Sequence, residues 1–185
     1  MHPALMSVWI AFFRGINVGG NNALPMKQLA AAFEGIGLAD VRTYIQSGNV
    51  VFSCSNTTAP QLVKRIGACV AKGFGFEPRV LVLSSRELEK AAAANPFPQA
   101  DADPKSLHLF FLEQTPAAAD ITGLTRLRAN TEAFVLKGKV FYLHTPAGFG
   151  TSKLAARVEK LLGTAATARN WRTVHAVIDM AASLR

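Results

Sequence analysis

The apolar positions of the chain fall into short blocks whose period changes at polar and glycine-bearing boundaries. Ser7–Phe13 (SVWIAFF) has apolar residues of both parities, the pattern of a central strand covered on both faces. Pro25 suits the first turn of a helix, and Met26, Leu29, Ala30, Phe33 and Ile36 follow at helical spacing until Gly37. VRTYIQ and VVFS, on either side of Ser47-Gly48-Asn49, read as a hairpin. Thr58 and Pro60 open a second helix with Leu62, Ile66, Cys69 and Val70 on its apolar face, and the strand RVLVL follows Pro78. Ser84 and Glu87 have capping-box spacing at the start of a third helix.

Strand, helix, hairpin, helix, strand is the ferredoxin-like βαββαβ order. Residues 95–106 (NPFPQADADPKS) are a proline-rich connector. The opening order then returns: a strand in LHLFFLE, a helix in PAAADITGLTRLRAN and a hairpin turning at Lys137-Gly138-Lys139. A helix from about Ser152 to Leu162 and another from about Trp171 onward complete the pattern, and AATAR between them carries a faint edge-strand signal. The predicted fold is α+β: a ferredoxin-like first half followed by a second, incomplete ferredoxin-like half with extra C-terminal helices. Its predicted boundaries are 1–94 for the first subdomain with its trailing helix, 95–106 for the connector and 107–185 for a second subdomain packed against the first. The duplication is one of element order, without a residue-level repeat.

Composition narrows the function classes. At 185 residues about 70% of the unfolded surface can be buried, so neither disulfides nor metals are needed for stability. Half the residues are apolar and 17% are charged, which excludes disorder. The net charge of +8, from 20 Lys and Arg against 12 Asp and Glu, favours anionic partners. Cys54 and Cys69 have neither metal nor redox spacing, and Cys69 reads as a buried reduced thiol. The run Val8–Phe13 is too short to span a bilayer and reads as a strand, not a signal peptide. The expectation is a cytoplasmic protein with no membrane segment, no metal and no cofactor.

FFRGINVGGNN, residues 12–22, is an elaborate connection between a strand and a helix. In a split βαβ unit the first two strands are parallel, so Arg14–Asn22 and Ser47–Asn49 should meet at one end of the sheet. That end offers Arg14, Asn17, Asn21, Asn22, Gln46, Ser47 and Asn49, with backbone N–H groups freed by Gly15, Gly19, Gly20 and Gly48, and no carboxylate, histidine or cysteine. Glycine loops allow close backbone approach, consecutive N–H groups form anion nests, and a helix N-terminus favours negative charge. The spacing matches neither a dinucleotide fingerprint nor a Walker loop. Strand alternation puts Arg42, Tyr44 and Gln46 on one face, as a ligand platform or a polar seam between the halves, and Val41 and Ile45 on the face toward the helices. In the second half a helix opens after a Gly-rich turn with Thr151 or Ser152 as its N-cap. Lys153, Arg157 and Lys160 form a basic stripe of the kind found on solvated faces, but Lys153 sits in the first turn, where a cation opposes the helix dipole by about 0.3–1 kcal/mol and a bound anion would remove that penalty. Arg169 and Asn170 precede Trp171, where Asn170 also reads as a plain N-cap.

RGINVGG, DVRTYIQSGNVVF, GFGTSKL and TARNWRTV together resemble the bacterial family termed domain of unknown function 1697, over about Ser7 to Leu184. The resemblance implies an α+β fold with two ferredoxin-like halves and no established activity. Its motif positions correspond here to Arg14, Gly15, Asn17, Gly19, Gly20, Arg42, Tyr44, Gln46, Ser47, Gly48, Asn49, Ser152, Lys153, Thr167, Arg169 and Asn170. Thr151 stands where the family pattern often has an arginine, so a contact there would come from a hydroxyl.

The motifs are rich in Arg, Lys, Asn and Gly and lack acids, which points first to a small anionic or phosphorylated, nucleotide-like ligand. An enzyme using Arg, Lys and backbone amides to stabilise an anionic transition state is the second expectation. A nucleic-acid module is disfavoured, because only Phe52 occupies a strand position where an RNA-recognition sheet carries several aromatics. A protein-interaction or structural role is the fourth, and the oligomeric state is left open.

Overall fold

The computed structural model describes residues 6–185, so His2 lies outside the described residues. The chain divides into two compact units. One is the segment ending at Lys90 together with Ala176–Arg185, and the other is Ala91–His175.

The first unit contains β1 (Ser7–Arg14), α1 (Met26–Gly35), β2 (Ala39–Tyr44), β3 (Asn49–Cys54), α2 (Ala59–Phe74) and β4 (Arg79–Ser84), in the βαββαβ order expected. Its strands form one sheet in the order β2-β3-β1-β4, with every neighbouring pair antiparallel. The odd-numbered side of β1 carries Ala11 and Phe13 into a core with Val50 and Phe52 of β3, Leu29 and Phe33 of α1, and Leu62, Ile66 and Val70 of α2. Phe33 meets Phe52 edge-on at 5.6 Å, an arrangement that adds about 0.5–1.5 kcal/mol to area burial. Ile10, Phe12 and Val51 are buried on the other face, as the mixed parity of β1 requires. The helix boundaries follow from capping: Thr58 and Gln61 form a capping box on α2, and Ser84 and Glu87 cap α3 (Ser85–Ala93).

The second unit repeats this layout with β5 (Leu107–Leu112), α4 (Ile121–Leu127), β6 (Ala133–Lys137), β7 (Val140–His144), α5 (Val158–Leu162) and β8 (Ala166–Asn170). Its antiparallel sheet has the order β6-β7-β5-β8. The alanine-rich segment with the faint signal is thus a true edge strand, and it completes the second half. Helix α6 (Trp171–Ala182) follows at once, beginning in the second unit and ending in the first. The helix expected from Ser152 is split: Ala155–Arg157 is a short 3-10 turn, and α5 starts only at Val158 because Arg157 leaves helical geometry at φ −120°. Among the described residues no helix is long and apolar enough to cross a membrane.

One close approach locks the hairpin of the first unit. The Phe13 amide donates to the Gly48 carbonyl at 2.8 Å. Gly48 has φ +81°, and a Cβ placed there would lie 2.6 Å from both Phe13 Cβ and Ile16 Cδ1. Left-handed backbone and overpacking both penalise a side chain. Gly48→Ala is expected to lower the unfolding free energy by about 2 kcal/mol or more, measured by denaturant titration, whereas a loss below about 0.5 kcal/mol would show that Gly48 is not constrained.

Candidate functional site

Register fixes which loops of the first unit share an end. Phe12 pairs with Asn49, Tyr44 with Asn49, and Arg14 with Arg79. The end of β1, the end of β2, and the beginnings of β3 and β4 therefore lie together. The loops at 15–25, 45–48 and 75–78 all emerge there, as do the N-terminus of α1 and the C-terminus of α2. Arg14 and Ser47 thus stand at the same end of one sheet.

The opening loop is a miniature hairpin. Val18 and Asn21 form a bridge around Gly19 and Gly20, whose φ values of +60° and +76° suit the primed two-residue turn. Asn17 anchors it. Its Nδ2 donates to the carbonyls of Leu24 and Gln46, both at 2.9 Å, and its Oδ1 accepts from the Leu24 amide at 2.7 Å. Asn22 Nδ2 donates to the Gly15 carbonyl. Asn49 is fully buried, and its Nδ2 donates to the Tyr44 carbonyl and to Ser47 Oγ. These carboxamides therefore satisfy the chain's own backbone. Groups that face outward are the backbone of Gly19 and Gly20, the exposed Gln46 and Ser47, and the half-buried Arg14, which has an interaction of its own within the protein. Arg42 donates to Ser183 Oγ at 2.7 Å, so it helps to hold the last turn of the chain, and Tyr44 is half-buried at the end of β2.

One expectation for β2 is corrected. Val41 packs toward the helices, but the strand ends at Tyr44 and Ile45 turns outward, with φ +48° and 54% exposure. A β-branched residue in left-handed backbone costs of the order of 1–3 kcal/mol. Parity along the sequence gave no sign of this, because alternation continues formally through Gln46.

The electrostatics of this end are one-sided. Strand ends, loops and adjoining helical turns carry Arg14, Lys27, Lys72 and Arg79 against one carboxylate, Glu77. Arg14 and Arg79 are directly opposite across β1 and β4, a like-charge pairing that is unfavourable on its own. Moreover α1 begins at Pro25 with neither a side-chain cap nor an acid in its first turn, whereas α2, α3, α4 and α6 are capped by Thr58, Ser84, Asp120 and Asn170.

The remaining predicted residues belong to the second unit. Ser152 is buried and its Oγ accepts from the Ala155 amide at 3.0 Å, Lys153 is exposed, and Asn170 is the N-cap of α6 through the Thr173 amide at 2.9 Å. Arg169 is buried in β8, donates to the Ala168 carbonyl and has further interactions; burial lowers its pKa to about 10. These motifs meet at the start of β5 through a residue that motif reading passed over. His108 pairs with Asn170 and stacks on Phe149 of the Gly-rich loop at 3.7 Å. Its alternation with Phe110 and Leu112 in LHLFFL was the available signal. Burial lowers its pKa to about 4, and its Nδ1 is buried without a partner. Among the described residues, no three His, Cys, Asp or Glu side chains are grouped to hold a metal ion.

Fold and site together define a two-unit α+β protein with a cationic sheet end of glycine and carboxamide loops. The chain belongs to the family described as "Protein of unknown function (DUF1697)", whose profile matches residues 6–142. The motifs around Ser152 and Asn170 lie beyond the matched stretch. No curated protein matches the chain. Among solved structures it is similar to the conserved bacterial protein SP0830 from Streptococcus pneumoniae, with a TM-score of 0.70 and 24% identity over 96% of this chain and 99% of that one. At that identity the likeness concerns the fold.

His108 generates a pH prediction. Its folded pKa of about 4 lies below the ordinary 6.5, so between these values the unfolded chain binds a proton that the folded chain does not. Stability attributable to His108 is then fully present above pH 6.5 and lost as pH falls toward 4, by up to about 3 kcal/mol. Denaturation of wild type and His108→Phe at pH 7 and pH 4.5 should show a shallower decline in the variant. Parallel declines would contradict the assignment.

Proposed function

We propose that the first unit binds a small anionic ligand, phosphorylated and of nucleotide size, at the end of its sheet formed by Arg14–Asn22 and Ser47–Asn49. The observation that carries this is the charge asymmetry: Arg14, Lys27, Lys72 and Arg79 gather there with only Glu77 to offset them. An anion would relieve the Arg14–Arg79 repulsion and face the uncapped N-terminus of α1, where the helix dipole favours negative charge. Arg14 is already engaged within the protein, but a guanidinium carries five donors, so a ligand adds to its existing bonds. The Gly19-Gly20 turn contributes backbone N–H groups, and Gln46 and Ser47 contribute neutral donors. Asn17 and Asn49 act as scaffold in this scheme and not as ligand contacts. Cys54 and Cys69 are both free thiols, which supports a reducing, cytoplasmic setting.

Thermal unfolding in inorganic tripolyphosphate, nucleoside triphosphates and sugar phosphates tests the proposal. A ligand at one hundred times its Kd stabilises by about 2.7 kcal/mol, which is roughly 5–10 °C for a chain of this size. Lys27 and Arg79 are exposed, so the double variant Lys27→Ser/Arg79→Ser should fold normally and lose most of the shift. An equal shift in the double variant, or none with any anion in the wild type, would refute the site. If only long polyanions stabilise the protein, non-specific charge binding replaces it.

A further inference from the structure

The cationic end also presents two large aliphatic side chains to solvent, Val18 at 68% and Ile45 at 54% exposure. They occur on different loops, yet the hydrogen bond from Asn17 Nδ2 to the Gln46 carbonyl brings those loops together, and each aliphatic residue is adjacent in sequence to one end of that bond. A single exposed aliphatic residue is ordinary on a protein surface. Ile45 is not ordinary, because it holds left-handed backbone that Asn or Gly would adopt without strain and its side chain recovers little burial in return. The fold has no use for isoleucine at that position, and such strain tends to collect at sites of recognition.

We infer that Val18 and Ile45 form the apolar part of a docking surface for a polypeptide partner whose contact segment carries aliphatic side chains flanked by carboxylates. The charge complement is supplied by Arg14, Lys27, Lys72 and Arg79 at the same end of the sheet, with Glu77 the one opposing carboxylate among the strand ends, loops and adjoining helical turns described there. The inference rests on the anion-binding proposal and goes beyond it: carboxylates of a peptide would meet the same cations proposed to hold a small phosphorylated ligand, and Val18 and Ile45 add an apolar determinant. A peptide fits this end better than a lipid surface does. Phe74 and Phe76 are partly buried against the core and Tyr44 is half-buried, which leaves aliphatic tips without the fully exposed aromatics typical of interfacial anchors. The exposed Asn21, Gln46 and Ser47 supply the neutral hydrogen-bonding groups that a peptide backbone requires.

The test is an amide-resonance titration of the labelled 185-residue chain with two synthetic peptides, Glu-Asp-Leu-Leu-Asp-Glu and its counterpart with Ser-Ser at the centre. The expected result is at least fivefold tighter binding of the leucine peptide, with shifts centred on Val18, Ile45 and Gln46. Ile45→Asn should melt at or above the wild-type temperature and lose that preference while still binding inorganic tripolyphosphate. Equal affinity for both peptides, alongside intact tripolyphosphate binding, would overturn the apolar determinant and leave the anion site standing. Failure of tripolyphosphate and both peptides would overturn both. Binding to phosphatidylserine vesicles that the leucine peptide does not compete away would assign the surface to lipid and overturn the peptide inference.

Discussion

Three hydrogen bonds from the Asn17 carboxamide organise the end of the first sheet, two donated to the Leu24 and Gln46 carbonyls and one accepted from the Leu24 amide. The pair to Leu24 closes the opening loop just before α1 and so places that helix N-terminus beside the strand ends. The bond to Gln46 ties the same loop to the β2–β3 turn, which the Phe13–Gly48 contact holds against β1 from the other side. A carboxamide suits this work because it presents two donors and an acceptor in one plane, and asparagine also tolerates the φ of +55° that the chain requires there. The tips bearing Gly19, Gly20 and Ile45 owe their positions to this arrangement.

A division of labour among the polar residues follows. Carboxamides bond backbone and build the end of the unit, while guanidinium, ammonium and amide N–H groups give it a sign. The cations come from four separate elements, β1, α1, α2 and β4, and no single motif contains them. Their convergence is a product of the βαββαβ path, which returns both helices and all four strands to the same end. An overall charge of +8 would draw anions toward the molecule in general; the local imbalance says where a small one would stay.

Much of the fold was legible because local signals agreed. The capping pairs at Thr58 and Ser84, Pro25 at the start of α1 and the mixed parity of β1 each point to the observed element, and together they order the first half. β8 was faint because Ala166, Ala168 and Asn170 are poor strand formers, and its pairing with β5 decides its state. The split helix before α5 hid behind good helical spacing, since only the backbone at Arg157 breaks it. Convergence of Arg14 with Ser47 could be derived from topology alone. The side-chain roles could not: asparagine in a glycine-rich loop reads equally as scaffold or as ligand donor, and only geometry shows the Asn17 and Asn49 carboxamides bonded to the chain's own backbone. Arg79 escaped notice because its importance lies in its partner across the sheet.

The central claim is that the cationic end of the first unit, and not the charge of the molecule at large, receives an anion. Mapping backbone amide shifts during titration with inorganic tripolyphosphate, repeated at two salt concentrations, tests it most directly. Saturable shifts confined to Gly19–Asn22, Gln46–Gly48, the first turn of α1 and Arg79 are predicted, with affinity that weakens but persists at the higher salt. Shifts scattered over basic residues of both units, or shifts that vanish with salt, would contradict the account.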